Sequence, residues 1–578
     1  MNPSENSSAR PAADEAISLD EPLPTAKQSL LAPLALIAVA LVTFFFGLGR
    51  MALLGPDEPR YAEIAREMFM SGDWISPRLC GCLWFEKPAL VYWLAGLGYR
   101  LFGVSELAAR LPIATAATLT LLLVYFVTRR LVSPRAAFIM ALVLATCGMF
   151  IGYGRVTSPD MPLTAAMTAA LLAGFMATQA GGRKRLLLWL ASFAAMALAV
   201  LAKGLPGVAL VVLIFLLYFT WMGRRDLIGW REVLMGSAVF LLIAATWYAP
   251  VMLRHGRGFI YEFFVRHHFQ RFTSNEFGHP QPFYFFLPVA LAGLAPWPAF
   301  LLPAIARLKS LRPRREPRHA LLAFAWVWAA VVIFFFSFSG SKLPGYILPA
   351  FPALAIIVGF EIEAFIADAR PSRDVAQAVN LRDISRKLTA CATWITALLI
   401  ASIAGGFAYY LRREGISIDG LSAMAYGIPV ALALAAIAAL LASKRGLFIT
   451  AATGVILSVI ASAAIALVPQ LNEEQTRKQL SLEAAAALRP GERIAFFILL
   501  KEYGPVFYSE GRVACGIGEN DVFMAMSEDQ LAEALRAEPS FVVITLEKWR
   551  GGLERDGRFT TEVLARQRDT LAMRVSLK

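Results

Sequence analysis

Charge is what this 578-residue chain has little of: Asp, Glu, Lys and Arg make up 17% of it. An apolar content of 58% excludes an ordinary soluble globule. Stretches of about 20 apolar residues recur, so the chain reads as a polytopic membrane protein. Cysteine is scarce too. Five are scattered along the chain, which excludes a disulfide framework. Cys80 and Cys82, one residue apart, lack the partners of a zinc knuckle. No internal repeat is visible. The net charge of +13 sits mostly in short loops between apolar segments. That distribution speaks of topology and attraction to anionic membrane lipid, not of nucleic acid.

What is there begins with a polar tail over residues 1–28, which reads as disordered and cytoplasmic. It lacks the basic start of a secretory signal, and no small-residue cleavage site follows residues 30–49, so that stretch is the first span. Further apolar stretches follow at 107–128, 136–153, 161–179, 186–201, 205–222 and 232–250. The rest lie at 282–305, 320–338, 346–366, 388–411, 422–442 and 447–468. The predicted architecture is an all-α polytopic bundle of about 13 transmembrane helices over 29–468. A small α/β domain follows over 469–578, with buried strands at 493–500 and 541–545 and a Ser527/Gln530 capping box opening a helix. That domain carries no nucleotide loop and no nucleophile triad, and reads as a lid or an acceptor-docking unit.

Clusters of Arg and Lys occupy every second loop, as at Arg129/Arg130/Arg135 and Lys444/Arg445. The positive-inside rule makes those loops cytoplasmic. Residues 89–102 are short for a span, so they are read as an interfacial or re-entrant helix. The opposite, non-cytoplasmic face then collects the loops at 57–87, 155–160, Lys203, 254–279 and 339–346, together with the chain after 468.

Nearly every unusual polar group falls on that face. Asp57, Glu58, Arg60, Glu86 and Lys87 crowd into one loop, and ionisable groups beside hydrocarbon mark a substrate path or a site. Glu63 and Glu67 read instead as the wet face of a short amphipathic helix. Asp160 lies between prolines at the mouth of a span, either as a helix cap or as a functional acid. Lys203 breaks two apolar stretches, and Lys342 and Tyr346 stand where another begins; each also suits an interfacial anchor. Arg266, His267, His268 and Arg271 fall within one or two helical turns. Adjacent histidines point apart on a helix, so the metal reading pairs one of them, such as His267, with Glu86 around a divalent ion. No cofactor is expected to be required. Fixed cations at headgroup depth suit a buried phosphate, and carboxylates suit a sugar or a hydroxyl acceptor.

The tracts GPDEPRYAEIAREM, FEKPAL, FGVSELAARLP, SPDMP, AKGLPG and SKLPGYILPAFPALA resemble those of bacterial aminoarabinose transferases that modify lipid A. These are GT-C glycosyltransferases, whose wider relatives include protein O-mannosyltransferases. The resemblance implies an undecaprenyl-phosphate-linked aminosugar donor and a lipid A phosphate acceptor at the periplasmic face of the bacterial inner membrane. It also implies Asp57 and Asp160 as the acids of the catalytic region, with Glu86 beside them. Lys87, Arg271 and Tyr346 would hold the donor phosphate, Lys203 would be a further functional cation, and Arg60, Glu58 and Lys342 would meet substrate. Two alternatives remain: the same chemistry on a protein or another glycan, or a lipid or sugar transporter, which would carry polar groups at mid-span.

Overall fold

A computed structural model describes residues 26–223, 227–270, 280–308, 311, 316–367, 379–413, 422–499, 503–514 and 523–578. Most of the tail at 1–28 lies outside them. Among the described residues, eight helices are long and apolar enough to cross a membrane. The pair Phe283–Gly293 and Pro298–Leu308, bent by 115°, would add one more span. Pro296 and Pro298 sit in that break, where each removes a backbone donor. Four shorter apolar helices, Leu30–Phe45, Pro134–Thr146, Pro206–Met222 and Gly427–Leu441, complete the set. Each apolar stretch read from the sequence carries one of these helices, in order.

The helices start and stop where their caps dictate. Glu106–Leu131 opens on Ser105, whose hydroxyl accepts from the Ala108 N–H, and closes with Arg129 and Arg130 in its last turn. Ser133 caps Pro134–Thr146 in the same way, with proline at the first helical position. Acid at the start and base at the end both suit the helix dipole. Gly182–Lys203 runs the other way, from Arg183 to Lys203. Helix direction thus sorts arginine clusters to one end of the bundle and leaves Glu106 and Lys203 at the other.

At that second end two helices stay outside the bundle. Asp57–Ser71 and Leu90–Phe102 are joined by a loop holding the small hairpin of β1 (Arg78–Leu79) and β2 (Cys82–Leu83). Leu90–Phe102 buries Val91, Tyr92, Ala95 and Tyr99 and exposes Leu97, Leu101 and Phe102. It is an amphipathic helix, as predicted for a non-spanning segment. Gly98 sets how closely it lies on Glu106–Leu131: a Cβ there would stand 2.0 Å from the Ala108 carbonyl oxygen.

The C-terminal residues form a five-stranded mixed sheet in the order β4-β3-β5-β7-β6. Its strands are β3 (Arg493–Phe497), β4 (Met524–Ala525), β5 (Phe541–Leu546), β6 (Phe559–Gln567) and β7 (Thr570–Leu577). β3 runs parallel to β4 and β5, whereas β7 pairs antiparallel with β5 and β6. The buried residues of β3 and β5 are apolar, as in strands covered on both faces, except Thr545, whose hydroxyl donates to the Phe497 carbonyl. The predicted cap forms in part: Ser527 accepts from the Gln530 N–H, while the Gln530 side chain accepts from the Met526 N–H, one residue before the cap, in place of the Ser527 N–H.

One face of this sheet shares a core with the two amphipathic helices, through Ile494, Phe496, Val506, Tyr61, Ile64 and Tyr92. That contact corrects the reading of Glu63 and Glu67. Glu63 is fully buried in a two-bonded pair with Arg66, against Gly511 of the C-terminal unit. Glu67 accepts from the Cys80 and Gly81 N–H groups and pins the hairpin turn. The helix face is amphipathic in composition, yet a second layer covers it.

Glu492 ties the sheet together from within. Burial acts to raise its pKa, but bonds from the Arg489 N–H, the Ser540 hydroxyl and Arg574 outweigh that and hold the carboxyl below its ordinary range. Its contribution to stability is therefore present above the ordinary carboxylate pKa and is lost as pH falls through the lowered one. Glu492→Gln should cost about 1–3 kcal/mol and weaken this acid sensitivity. Hydrogen exchange by mass spectrometry, read on peptides covering β3 and β7 at neutral and acid pH, measures both effects.

Candidate active site

A cavity of 540 Å³ opens at the end of the bundle beneath the C-terminal unit. Its wall brings together Asp57, Glu58, Glu86, Lys87, Asp160, Lys203, His267 and Tyr346. These come from parts of the chain up to 289 residues apart, Asp57 to Tyr346. Two predicted residues are not in that wall, and a third cannot be placed against it. Arg60 stands behind it, Lys342 faces away, and Arg271 lies outside the described residues.

Each group is placed by the end of an element. Asp57 is the first residue of the Asp57–Ser71 helix and Asp160 the first of Asp160–Thr178, so both carboxylates sit in the favourable field of a helix N-terminus. Lys203 is the last residue of its helix, where a cation is favoured. The helices beginning at Asp160 and ending at Lys203 are antiparallel neighbours, and the two side chains form a short ion pair. Lys203 also lies 4.7 Å from the Tyr346 ring centre. Tyr346 belongs to the 3-10 turn Pro344–Ala350. Gly345 allows that turn to approach, since a Cβ there would stand 2.7 Å from the Tyr153 hydroxyl.

On the facing wall Glu86 pairs with Lys87 at 2.9 Å and with Arg60 at 3.1 Å. Arg60 also reaches Asp57 at 2.6 Å. Burial acts to lower the Arg60 pKa, but Glu86, Tyr61 and Asp57 outweigh it and raise it well above its ordinary value, so the guanidinium stays charged. Asp57 is the most open of these acids, with 57% of its side chain exposed. Lys342 spends its ammonium on the carbonyl oxygens of Ser339 and Gln281, at 2.6 and 3.0 Å, and holds the loop that leads to Tyr346.

Glu58 faces the protein more than the cavity. Its carboxylate accepts two bonds from Arg110, both 2.7 Å, and the N–H groups of Leu54 and Thr157. Arg110 in turn donates to the carbonyls of Leu48, Met51 and Ala52. One buried ion pair thus ties the loop before Asp57 to the loop before Asp160. Sequence reasoning passed over Arg110, although an arginine one turn into an apolar span was the available signal. Tyr153 and Thr157 in the same wall carried no such signal.

Glu86 and His267 line the same cavity, but among the described residues no group of three His, Cys, Asp or Glu could hold a metal ion.

Comparison with known proteins bears on the fold. The family model of dolichyl-phosphate-mannose-protein mannosyltransferases matches residues 86–249. An undecaprenyl phosphate-alpha-4-amino-4-deoxy-L-arabinose arabinosyl transferase of Pseudomonas aeruginosa is 34% identical over 329 residues, 56% of this chain and 58% of the relative. A protein of the same name from Aeromonas salmonicida is 34% identical over 321 residues, 55% of this chain and 57% of that one. The chain thus matches a little over half the length of these relatives. The crystal structure of ArnT from Cupriavidus metallidurans bound to undecaprenyl phosphate superposes with a TM-score of 0.75 at 25% identity, covering 94% of this chain and 97% of that one. Its apo form gives 0.72 at 26% identity with the same coverage. The fold is that of this GT-C class, and the chain is a multi-pass membrane protein.

Removing one partner of the Glu58–Arg110 pair leaves the other charged and buried. Glu58→Gln or Arg110→Met should lower stability by about 3–5 kcal/mol, whereas Lys87→Ala, which leaves Glu86 still paired with Arg60, should cost clearly less. Thermal unfolding of the detergent-purified variants checks this contrast.

Proposed function

We propose that this chain, a relative of the aminoarabinose transferases with their GT-C fold, is an integral membrane glycosyltransferase that moves aminoarabinose from undecaprenyl phosphate to lipid A phosphate. The observation that carries the reading is the single cavity in which Asp57, Glu86 and Asp160 meet Lys87, Lys203 and Tyr346. The relatives' names supply the donor, and the lipid A acceptor is our inference from the sequence resemblance. We infer about thirteen crossings, with cavity and C-terminal unit on the periplasmic side of the inner membrane, from the basic loops at the other end.

Charge balance supports an aminosugar. Asp57, Glu86 and Asp160 offset Arg60, Lys87 and Lys203, so these six ionised groups sum to zero. A donor carrying one phosphate and one ammonium enters such a site without leaving an uncompensated charge against hydrocarbon. Lys87 and Tyr346 are assigned to the donor phosphate, with Arg271 as a third ligand. Asp57 and Asp160 are assigned to the sugar's ammonium and hydroxyls, and Lys203 to positioning Asp160.

The reaction needs no general base. A lipid A phosphate is already anionic, so its oxygen attacks the anomeric carbon directly. The bond from that carbon to the donor phosphate breaks, and its electron pair leaves with undecaprenyl phosphate. Cations fixed beside the departing oxygen stabilise the charge that develops there, which accelerates the step. A transporter is the weaker alternative, because the buried ion pair Glu58–Arg110 lies near helix ends, and Glu361 pairs with a partly exposed Arg307 in the last turn of Leu301–Leu308.

Lipid A from cells with and without the protein should differ by the mass of one or more aminoarabinose units; identical mass spectra would reject the assignment. Asp57→Asn and Lys87→Ala should each cut transfer by roughly 100-fold or more in vesicles while the protein remains folded. Glu86 is already compensated by two cations, so transfer should survive exhaustive chelation. Loss on chelation, restored by a divalent ion, would instead install a metal between Glu86 and His267.

A further inference from the structure

The C-terminal unit reaches the acids of the cavity only through Arg60, against which it sets the ring of Tyr503. Arg60 Nη2 lies within reach of both Asp57 and Glu86, at 2.6 and 3.1 Å. A single nitrogen serving two carboxylates does not fix the plane of a guanidinium, and Arg60 Nε has no acceptor among the described residues. Aromatic faces do fix it. The Arg60 Cζ stands 5.5 Å from the Tyr61 ring centre, 5.5 Å from Trp84 and 5.4 Å from Tyr503. Tyr61 is the next residue of the same helix as Arg60, and Trp84 follows β2 in the loop that leads to Leu90–Phe102. Tyr503 comes from the C-terminal unit, just ahead of the short helix Gly504–Tyr508.

That helix is well anchored. Tyr508 accepts from the Leu53 N–H at 2.9 Å and donates to Glu106 at 3.2 Å, while Lys478 pairs with Glu106 at 2.5 Å. Asn472 accepts from the Ala52 N–H and donates to the Arg50 carbonyl. Tyr503 is itself buried, with 4% exposure. A smaller side chain there would leave Arg60 open on one side to the 790 Å³ cavity that Tyr503 and Arg60 both line.

We propose that Tyr503 is a positioning residue: by closing the aromatic box around Arg60, the C-terminal unit holds Asp57 and Glu86 where the donor sugar meets them. This rests on the transferase reading for its kinetic consequence, but its geometry stands apart from it. The unit is then part of the active site's rigidity, in addition to any part in docking the acceptor.

The experiment compares Tyr503→Ala and Tyr503→Phe in the full chain, purified and reconstituted. Phe keeps the ring face and loses only the hydroxyl, so it should retain wild-type kcat within about twofold. Ala should lower kcat about tenfold, equivalent to ~1.4 kcal/mol, with the donor KM unchanged. Undecaprenyl phosphate binding, measured without turnover, should also be unchanged in both. A cryo-EM structure of Tyr503→Ala should show Arg60 no longer within 4 Å of both carboxylates, the limit for an ion pair. Four results would each overturn the proposal: wild-type kcat in the Ala variant, a Phe variant as impaired as Ala, a raised donor KM at constant kcat, or an undisturbed Arg60. If the wild-type protein itself transfers nothing, the transferase reading fails, and the cryo-EM comparison still decides the role of Tyr503.

Discussion

A charge buried against hydrocarbon must be neutralised by another charge, and in this protein the pair Glu58–Arg110 meets that demand where two loops converge. The guanidinium offers five donors in a rigid fork, which no lysine could match. It spends them on one carboxylate and three backbone carbonyls. The carboxylate then reaches the Leu54 and Thr157 N–H groups. Asp57 immediately precedes Glu58, and Asp160 follows Thr157 by three. The spacing of the two open acids is therefore inherited from a pair that has no chemistry of its own to perform.

The same logic repeats outward. Asp160 is neutralised by Lys203, Glu86 by Lys87 and Arg60, and Asp57 by Arg60. Each acid lies at a helix start or in a loop, and Lys203 ends a helix, so the backbone field reinforces the pairing. Preorganisation of this kind matters more beside a bilayer than in water. The low dielectric strengthens correctly placed charges and penalises misplaced ones.

Much of this was legible in the sequence, because membrane physics leaves few options. Long apolar stretches had to be helices, and alternating arginine clusters had to sort the loops. The prolines beside Asp57, Lys87 and Asp160 flagged charges that amphipathic packing does not call for. What stayed hidden depended on partners far away in the chain. Glu58 looked like its neighbour Asp57, and only Arg110, 52 residues on, turns it inward. Glu63 and Glu67 had the spacing of a solvated face, yet the unit folded from residues beyond 470 covers Glu63 at Gly511, and the hairpin N–H groups of Cys80 and Gly81 claim Glu67. Lys342 shares a tract with Tyr346, yet a carbonyl at Gln281, 61 residues away, claims its ammonium.

That dependence on distance bears on how the two parts of the chain relate. A bundle assembled from local helical hairpins can place Asp160 beside Lys203, since those helices are adjacent in sequence as well as in space. It cannot by itself orient Arg60, whose amphipathic helix lies outside the bundle and has one face open until the C-terminal sheet arrives. The sheet fills that face with Ile494, Phe496 and Val506 and sets Tyr503 against the guanidinium. Burying apolar surface there stabilises the helix by roughly 25 cal/mol per Å², an undirected contribution. The ring adds direction, because it fixes one cation whose single nitrogen serves two acids. The unit that looks like an appendage in the sequence is, in the fold, the third wall of a charge network that the bundle leaves incomplete.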